Sequence, residues 1–310
     1  MSLPRFVTLV CAAAGIALTA TPRAAAPQVP AFRAGIDLVN VGVTVTDRTG
    51  GLVADLGRED FEIREDGRTQ TISYFLAGDP AAGAAPSLHV GVLLDVSESM
   101  AEEIGFARTA AIKFLNALEG AADMTVVDFD TEVRVARFGR DDFPRLVERI
   151  RQRKVSGLTA LYDAIGVYLD GASDQDGRTI MLLYTDGGDT RSTLTLPELM
   201  GLLKASNVTV YAIGSLSHQS LSGRQPQERV LRQIAEVTGG QAFFPADVKD
   251  LDKVYDQVLA ELRAQYTIGY LSTNDKRDGT WRKVDVKVSG PGARGLRIRA
   301  RKGYFAPYKP

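Results

Sequence analysis

Short apolar runs alternate with amphipathic stretches through the middle of the chain. Val90-Gly91-Val92-Leu93-Leu94 has the length and continuity of a buried strand, and Glu102 to Glu119 carries Ile104, Ala107, Ala111, Leu115 and Leu118 at helical spacing. The same pattern predicts a strand over 89–95, a helix over 102–119, strands over 123–129 and 132–138, and a helix over 142–152. A helix over 161–170, a strand over 179–184, a helix over 196–206 and a strand over 208–213 follow. A helix over 226–238, a short strand over 241–244 and a helix over 248–264 complete the region. Strands that alternate with helices indicate an α/β fold with a doubly wound, mostly parallel sheet. The 123–138 pair, joined at Asp130-Thr131, reads as an antiparallel hairpin at one edge.

Both flanks change character. Leu38 to Thr46 is rich in β-branched residues and is followed by a turn over Asp47 to Gly51. Phe61-Glu62-Ile63-Arg64 precedes Asp66-Gly67, a hairpin signal, and Thr69 to Phe75 reads as the returning strand. After the α/β region, Tyr266 to Tyr270, Trp281 to Val288 and Leu296 to Arg301 read as three more strands. Neither flank has enough strands to stand alone, so the two are expected to combine in one small β-sandwich interrupted by the α/β domain. The expected organisation is a signal peptide over 1–26, a β-rich segment over 27–76, an Ala/Gly/Pro linker over 77–86, the α/β domain over 87–264 and a second β-rich segment over 265–310.

Candidate chemistry sits where the first central strand ends. Asp95-Val96-Ser97-Glu98-Ser99 places a carboxylate and two hydroxyls at alternate positions in a strand-to-helix loop, at the edge of an open α/β sheet where ligands bind. Oxygen donors without a nearby Cys or His suit a hard cation, Mg²⁺ or Mn²⁺ before Ca²⁺. Three side chains do not complete such a shell. Ser156-Gly157-Leu158-Thr159 offers a hydroxyl in a glycine-containing loop, and the apolar strand from Ile180 ends in a carboxylate at Asp186. Taken singly, each piece is equally an ordinary turn or helix cap, with Ser99 and Thr159 placed as N-caps.

Asp-x-Ser-x-Ser, a distant Thr and a later Asp-Gly, in this order, resemble the metal-ion-dependent adhesion site of the von Willebrand factor type A domain, a Rossmann-like fold. The resemblance implies that Ser97, Ser99 and Thr159 touch the ion, with Asp95 and Asp186 binding directly or through water. It also implies a last coordination position filled by an acidic side chain of a bound protein. Two carboxylates and three neutral hydroxyls leave a divalent ion no more than neutralised, so it still attracts an incoming Asp or Glu. Glu98 and Met100 flank the site as candidate partner contacts. The segments Asp60 to Gly67 and Arg301 to Pro307 resemble the flanks of type A domains in a family of secreted bacterial proteins.

Composition narrows the compartment more than the ligand. Arg5, the apolar run Phe6 to Ala20 and Ala24-Ala25-Ala26 have the form of a cleavable secretory signal, too short for a membrane span. The single cysteine, Cys11, lies inside it, so the mature chain has no thiol chemistry or disulfide and suits a periplasmic or extracellular setting. Of 37 basic residues, loss of Arg5 and Arg23 leaves 35 against 38 acidic ones, which gives no case for nucleic-acid binding.

Other activities find less support. Asp128-Phe129-Asp130-Thr131 resembles the nucleophile motif of Mg²⁺-dependent haloacid-dehalogenase-type phosphatases, but a strand follows where an insertion is usual. His89 and His218 stand in no hydrolase or zinc-protease pattern. Arg297, Arg299 and Arg301 alternate with apolar residues and read as the solvated face of a strand. Arg149, Arg151, Arg153 and Lys154 end a helix and complement its dipole. The expected function is therefore a secreted, non-enzymatic, metal-dependent protein-binding module. A cell-envelope scaffold using the same fold without metal-gated binding is the alternative.

Overall fold

The computed structural model describes residues 38–78, 86–118, 120–173, 175–216, 220–289 and 293–308. The expected signal peptide with Cys11, most of the linker and His218 lie outside these residues. The described elements belong to one unit, Ile36–Pro310. They are β1 (Leu38–Thr46), β2 (Phe61–Glu65), β3 (Arg68–Gln70), β4 (Ile72–Leu76), β5 (Leu88–Asp95), α1 (Ile104–Asn116), β6 (Ala121–Phe129), β7 (Val133–Gly139), α2 (Phe143–Gln152) and α3 (Leu161–Ala172). There follow β8 (Arg178–Thr185), α4 (Leu196–Ala205), β9 (Val208–Gly214), α5 (Leu221–Val237), β10 (Gln241–Phe243), α6 (Leu251–Ala264), β11 (Tyr266–Leu271), β12 (Trp281–Val288), β13 (Arg297–Ala300) and β14 (Gly303–Phe305).

The central sheet has the order β10-β9-β8-β5-β6-β7 and is parallel except for β7, which returns antiparallel from β6 at the edge. Alternation along β5 explains the two helical layers. Val90, Val92 and Leu94 enter a core with α1, α2 and α6, while Leu93 enters a separate core with α3, α4 and α5. The chain leaves β5 for α1 on one face and leaves β8 for α4 on the other. Because β5 and β8 are neighbours, the divergence opens a crevice at their carboxyl ends.

The flanks form two four-stranded antiparallel sheets, β13-β1-β11-β4 and β14-β12-β2-β3, each mixing strands from both sides of the α/β region. Val41, Val43, Phe61, Ile63, Tyr266, Ile268 and Val284 share one core between them. The β2–β3 hairpin turns at Asp66 and Gly67, both with positive φ, the geometry for which Asp-Gly is suited. The expected single strand Thr69 to Phe75 is two strands instead. It breaks at Thr71, β3 staying with β2 while β4 crosses to β11. β14 was not anticipated, and α5 starts five residues before the expected boundary because Pro226 lies inside it instead of opening it.

The basic strand face is also corrected. Arg299 and Arg301 do not point into solvent: they dock β13 onto the α/β domain. Arg299 Nε donates to the Gly239 carbonyl at 3.1 Å, and its guanidinium pairs with buried Glu261 on α6. Glu261 also accepts from Tyr211 Oη at 2.8 Å and Thr44 Oγ1 at 3.2 Å. Arg301 reaches Asn207 and the Lys204 carbonyl.

Candidate functional site

Asp95 ends β5 at the mouth of the crevice and is 0% exposed. Its Oδ1 accepts the Ser97 N–H at 2.9 Å and its Oδ2 accepts the Thr185 hydroxyl at 2.6 Å. Val96 N–H then donates to the Phe129 carbonyl at 2.8 Å, holding the first residue of the turn against the sheet. Ser97, also buried, opens a short 3-10 turn over Glu98–Met100, and its Oγ lies 3.1 Å from Ser99 Oγ. Ser99 caps no helix, and the residue that opens α3 is Ala160, not Thr159.

Thr159 comes to this turn on a loop that is bound along its length. Ser156 N–H donates to the Val96 carbonyl at 2.9 Å, Glu98 N–H to the Gly157 carbonyl at 3.1 Å and Ala160 N–H to the Asp130 carbonyl at 2.8 Å. Gly157 has φ +77°, and a Cβ there would meet Thr131 Oγ1 at 2.5 Å, so the bend requires glycine. On the other side Thr159 is clasped by the loop after β8: its N–H donates to Thr190 Oγ1 at 3.0 Å and its carbonyl accepts from Thr190 and Arg191. Asp186, half-buried, accepts the Gly188 N–H at 3.1 Å.

The electrostatics follow from this packing. Burial pushes the Asp95 carboxyl up to about 6, and the neighbouring charge of Asp186 adds to it, while the hydrogen bonds from Ser97 and Thr185 oppose the rise. Among the described residues no Lys, Arg or His pairs with Asp95. Nor is any group of three or more His, Cys, Asp or Glu placed to hold a metal ion among them. A cation here would rest on a mixed set of two carboxylates and three hydroxyls, donors of the hard class.

The structure thus puts Asp95, Ser97 and Ser99 on one turn, hydrogen-bonds the Thr159 loop to that turn and sets Asp186 within electrostatic range of Asp95. Of the two expected partner contacts, Glu98 is exposed, but Met100 is 2% exposed and packs in the core with Val96 and Ile104. The 3-10 turn directs residues 98 and 100 to opposite sides, so Met100 is withdrawn as a contact. Thr185 was missed. Its signal is in register: Leu93 and Leu183 enter the same core, so two residues later Asp95 and Thr185 end adjacent parallel strands on the same side.

The phosphatase motif is occupied by cations. Asp128 lies 2.6 Å from Arg149, 2.8 Å from Arg153 and 3.5 Å from Arg134, and Asp130 pairs with Arg134 at 2.9 Å. The helix-end arginines therefore neutralise a buried strand carboxylate instead of merely facing a dipole, and no open carboxylate pair remains for phosphoryl transfer. His89 bridges Asp123 and the Asp176 carbonyl.

Comparison with known proteins agrees with this architecture. Residues 89–257 match the family model of the von Willebrand factor type A domain. Among solved structures, a von Willebrand factor type A protein from Catenulispora acidiphila aligns with TM-score 0.50 and 14% identity over 90% of this chain and 76% of that one. The PilB minor pilin of Streptococcus sanguinis aligns with TM-score 0.47 and 13% identity over 60% of this chain and 63% of its own. The pilus adhesin SpaC of Lactobacillus rhamnosus GG aligns with TM-score 0.47 and 10% identity over 81% of this chain and 48% of its own. At 14% identity the likeness to the Catenulispora acidiphila protein is one of fold. No curated protein sequence matches the chain.

Proposed function

Starting from the fact that the chain belongs to the von Willebrand factor type A domain family, we propose that it is an exported protein-binding module. Its divalent cation, Mg²⁺ or Mn²⁺, is held by Asp95, Ser97, Ser99, Thr159 and Asp186. When bound, the cation supplies a positive charge with a coordination position left for an Asp or Glu of the partner. The residues of this chain do the positioning: Thr185 orients Asp95, the Thr190 clasp fixes Thr159, and exposed Glu98 borders the approach. We further read residues 1–26 as the export signal and residues 87–264 as the binding domain, carried by the flanking segments 27–76 and 265–310.

The observation that carries this reading is Asp95 itself. A carboxylate at 0% exposure, with only hydroxyl and amide donors and a second carboxylate nearby, is a costly arrangement that a cation relieves. Calorimetric titration with Mg²⁺ and Mn²⁺, beside Asp95→Ala checked for intact folding, tests it. One-site binding lost in the variant is the expected result, and absence of binding to the native chain would sink it.

A second reading, an envelope scaffold, draws on the buried Glu261 network that fastens the flanking sheets to the α/β domain. It expects chelation to leave partner capture unchanged, whereas metal-gated binding expects capture to vanish while the fold persists. None of the described helices is long and apolar enough to cross a membrane.

A further inference from the structure

The ion pairs of Asp128 are unbalanced. Arg134 on β7, Arg149 on α2 and Arg153 just after α2 converge on this one carboxylate, and Arg108 on α1 donates to the Arg153 carbonyl. These four guanidiniums face Asp128, Asp130 and the exposed Glu132, so positive charge is in excess. Asp128 is 4% exposed, yet the side chains of Arg134, Arg149 and Arg153 are 22%, 26% and 33% exposed and open to the surface. Among the described residues the buried Nε atoms of Arg108, Arg149 and Arg153, and Oδ1 of Asp128, make no hydrogen bond. Burial lowers Arg108 below its ordinary range and raises the Asp128 carboxyl above its own, so neither sign is fully compensated at this depth. Three carboxylates, one of them the exposed Glu132, leave one of the four guanidiniums without a counter-charge.

Position gives the excess a use. Asp128 pairs in register with Leu94, one residue before Asp95, so the cluster sits near the same carboxyl ends of the strands, on the face that carries α1 and α2. One loop separates the two: it starts at Arg153, receives Asp130 through Ser156 Oγ and the Ala160 N–H, and carries Thr159. We propose that Arg108, Arg134, Arg149 and Arg153 form an oxyanion-binding site beside the candidate metal centre, taking a carboxylate of an acidic protein segment. The partly exposed guanidinium forks of Arg134, Arg149 and Arg153 suit such a group, and charge-assisted bonds of this kind are the strong ones. The site extends the proposed partner from one acidic residue to an acidic stretch, but its own binding does not need the cation.

The test is titration of the full chain with fluorescein-labelled hexaglutamate and, separately, with sodium sulfate, each in EDTA and in Mg²⁺. Hexaglutamate is expected to bind in EDTA, to weaken at least ~10-fold in Arg149→Gln/Arg153→Gln, and to keep its affinity in Asp95→Ala. Asp128→Asn is expected to tighten binding, because it removes the competing carboxylate; this opposite sign holds the test open if the double variant fails to fold, as circular dichroism would show. No hexaglutamate binding to the native chain, or binding indifferent to both sets of substitutions, overturns the proposal. Arginine-dependent binding of sulfate alone overturns the assignment to a protein segment. Mg²⁺ binding, measured by calorimetry on the same samples, reports separately on the metal centre.

Discussion

Two buried carboxylates show how differently the molecule treats charge. Glu261, at the joint between the α/β domain and the flanking sheets, is met by the guanidinium of Arg299 as well as two hydroxyls. Asp95, at the carboxyl edge of the central sheet, has hydroxyl and amide donors and no cation. Glu65 in the flanking sheets is a third case, held among the described residues by the hydroxyls of Tyr270 at 2.9 Å, Tyr304 at 2.8 Å and Ser272 at 2.6 Å. Missing cations therefore do not mark a site by themselves. Asp95 differs from Glu65 in having a second carboxylate beside it and in standing at the opening where β5 and β8 part.

Breaking the joint should cost most. Glu261→Leu takes the carboxylate from half-buried Arg299 and leaves the hydroxyls of Tyr211 and Thr44 buried without an acceptor, and about 3–5 kcal/mol of stability is expected to go, read by urea unfolding, with Mg²⁺ binding intact in the folded fraction. Met100→Ala comes next, at about 2–5 kcal/mol, because the side chain fills core beneath the turn; the exposed neighbour Glu98→Ala should stay within about 0.5 kcal/mol and act on partner capture instead.

Asp95→Asn sharpens the contrast by reversing sign. Since Asp95 titrates in the folded chain near about 6, above its ordinary 3.8, the metal-free protein binds the proton more tightly than the unfolded chain does. That contribution is full below the unfolded value and is lost as pH rises through about 6. In EDTA at pH 7 the variant should therefore be more stable than the native chain, by on the order of 2 kcal/mol, with a flatter melting-temperature profile between pH 4 and 7. Added Mg²⁺ should raise the melting temperature of the native chain only. Thr185→Val has the smallest expected effect, about 1 kcal/mol weaker Mg²⁺ binding in calorimetry, by removing the donor that orients Asp95.

Much of the fold was legible because hydrophobic period and burial agree along the α/β region: every expected central strand and helix exists, displaced by a few residues at its ends. The candidate site was legible where residues are neighbours in sequence, as in Asp95 to Ser99. What escaped depends on through-space registry. Thr185 needs two parallel strands to be aligned before its hydroxyl meets Asp95. Met100 looked available because exposure within a single 3-10 turn changes from one residue to the next. Arg299 and Arg301 had the alternation of a half-buried strand, but whether the basic side meets water or another layer is decided by where β13 docks, which local pattern does not contain.

The interleaving of the flanking sheets also orders events in time. Thr44 and Glu261 touch although 217 positions separate them, and β1 has no partner until β11 and β13 exist. A chain delivered through a translocation pore amino end first would present β1 as an open edge during the passage of the whole α/β domain, a template for wrong pairing. The α/β domain, whose strand partners all lie between Leu88 and Phe243, has what it needs to close earlier. Assembly would then finish with β14, which adds to β12 at the edge of its sheet after the strand ends around Asp95 are already in place.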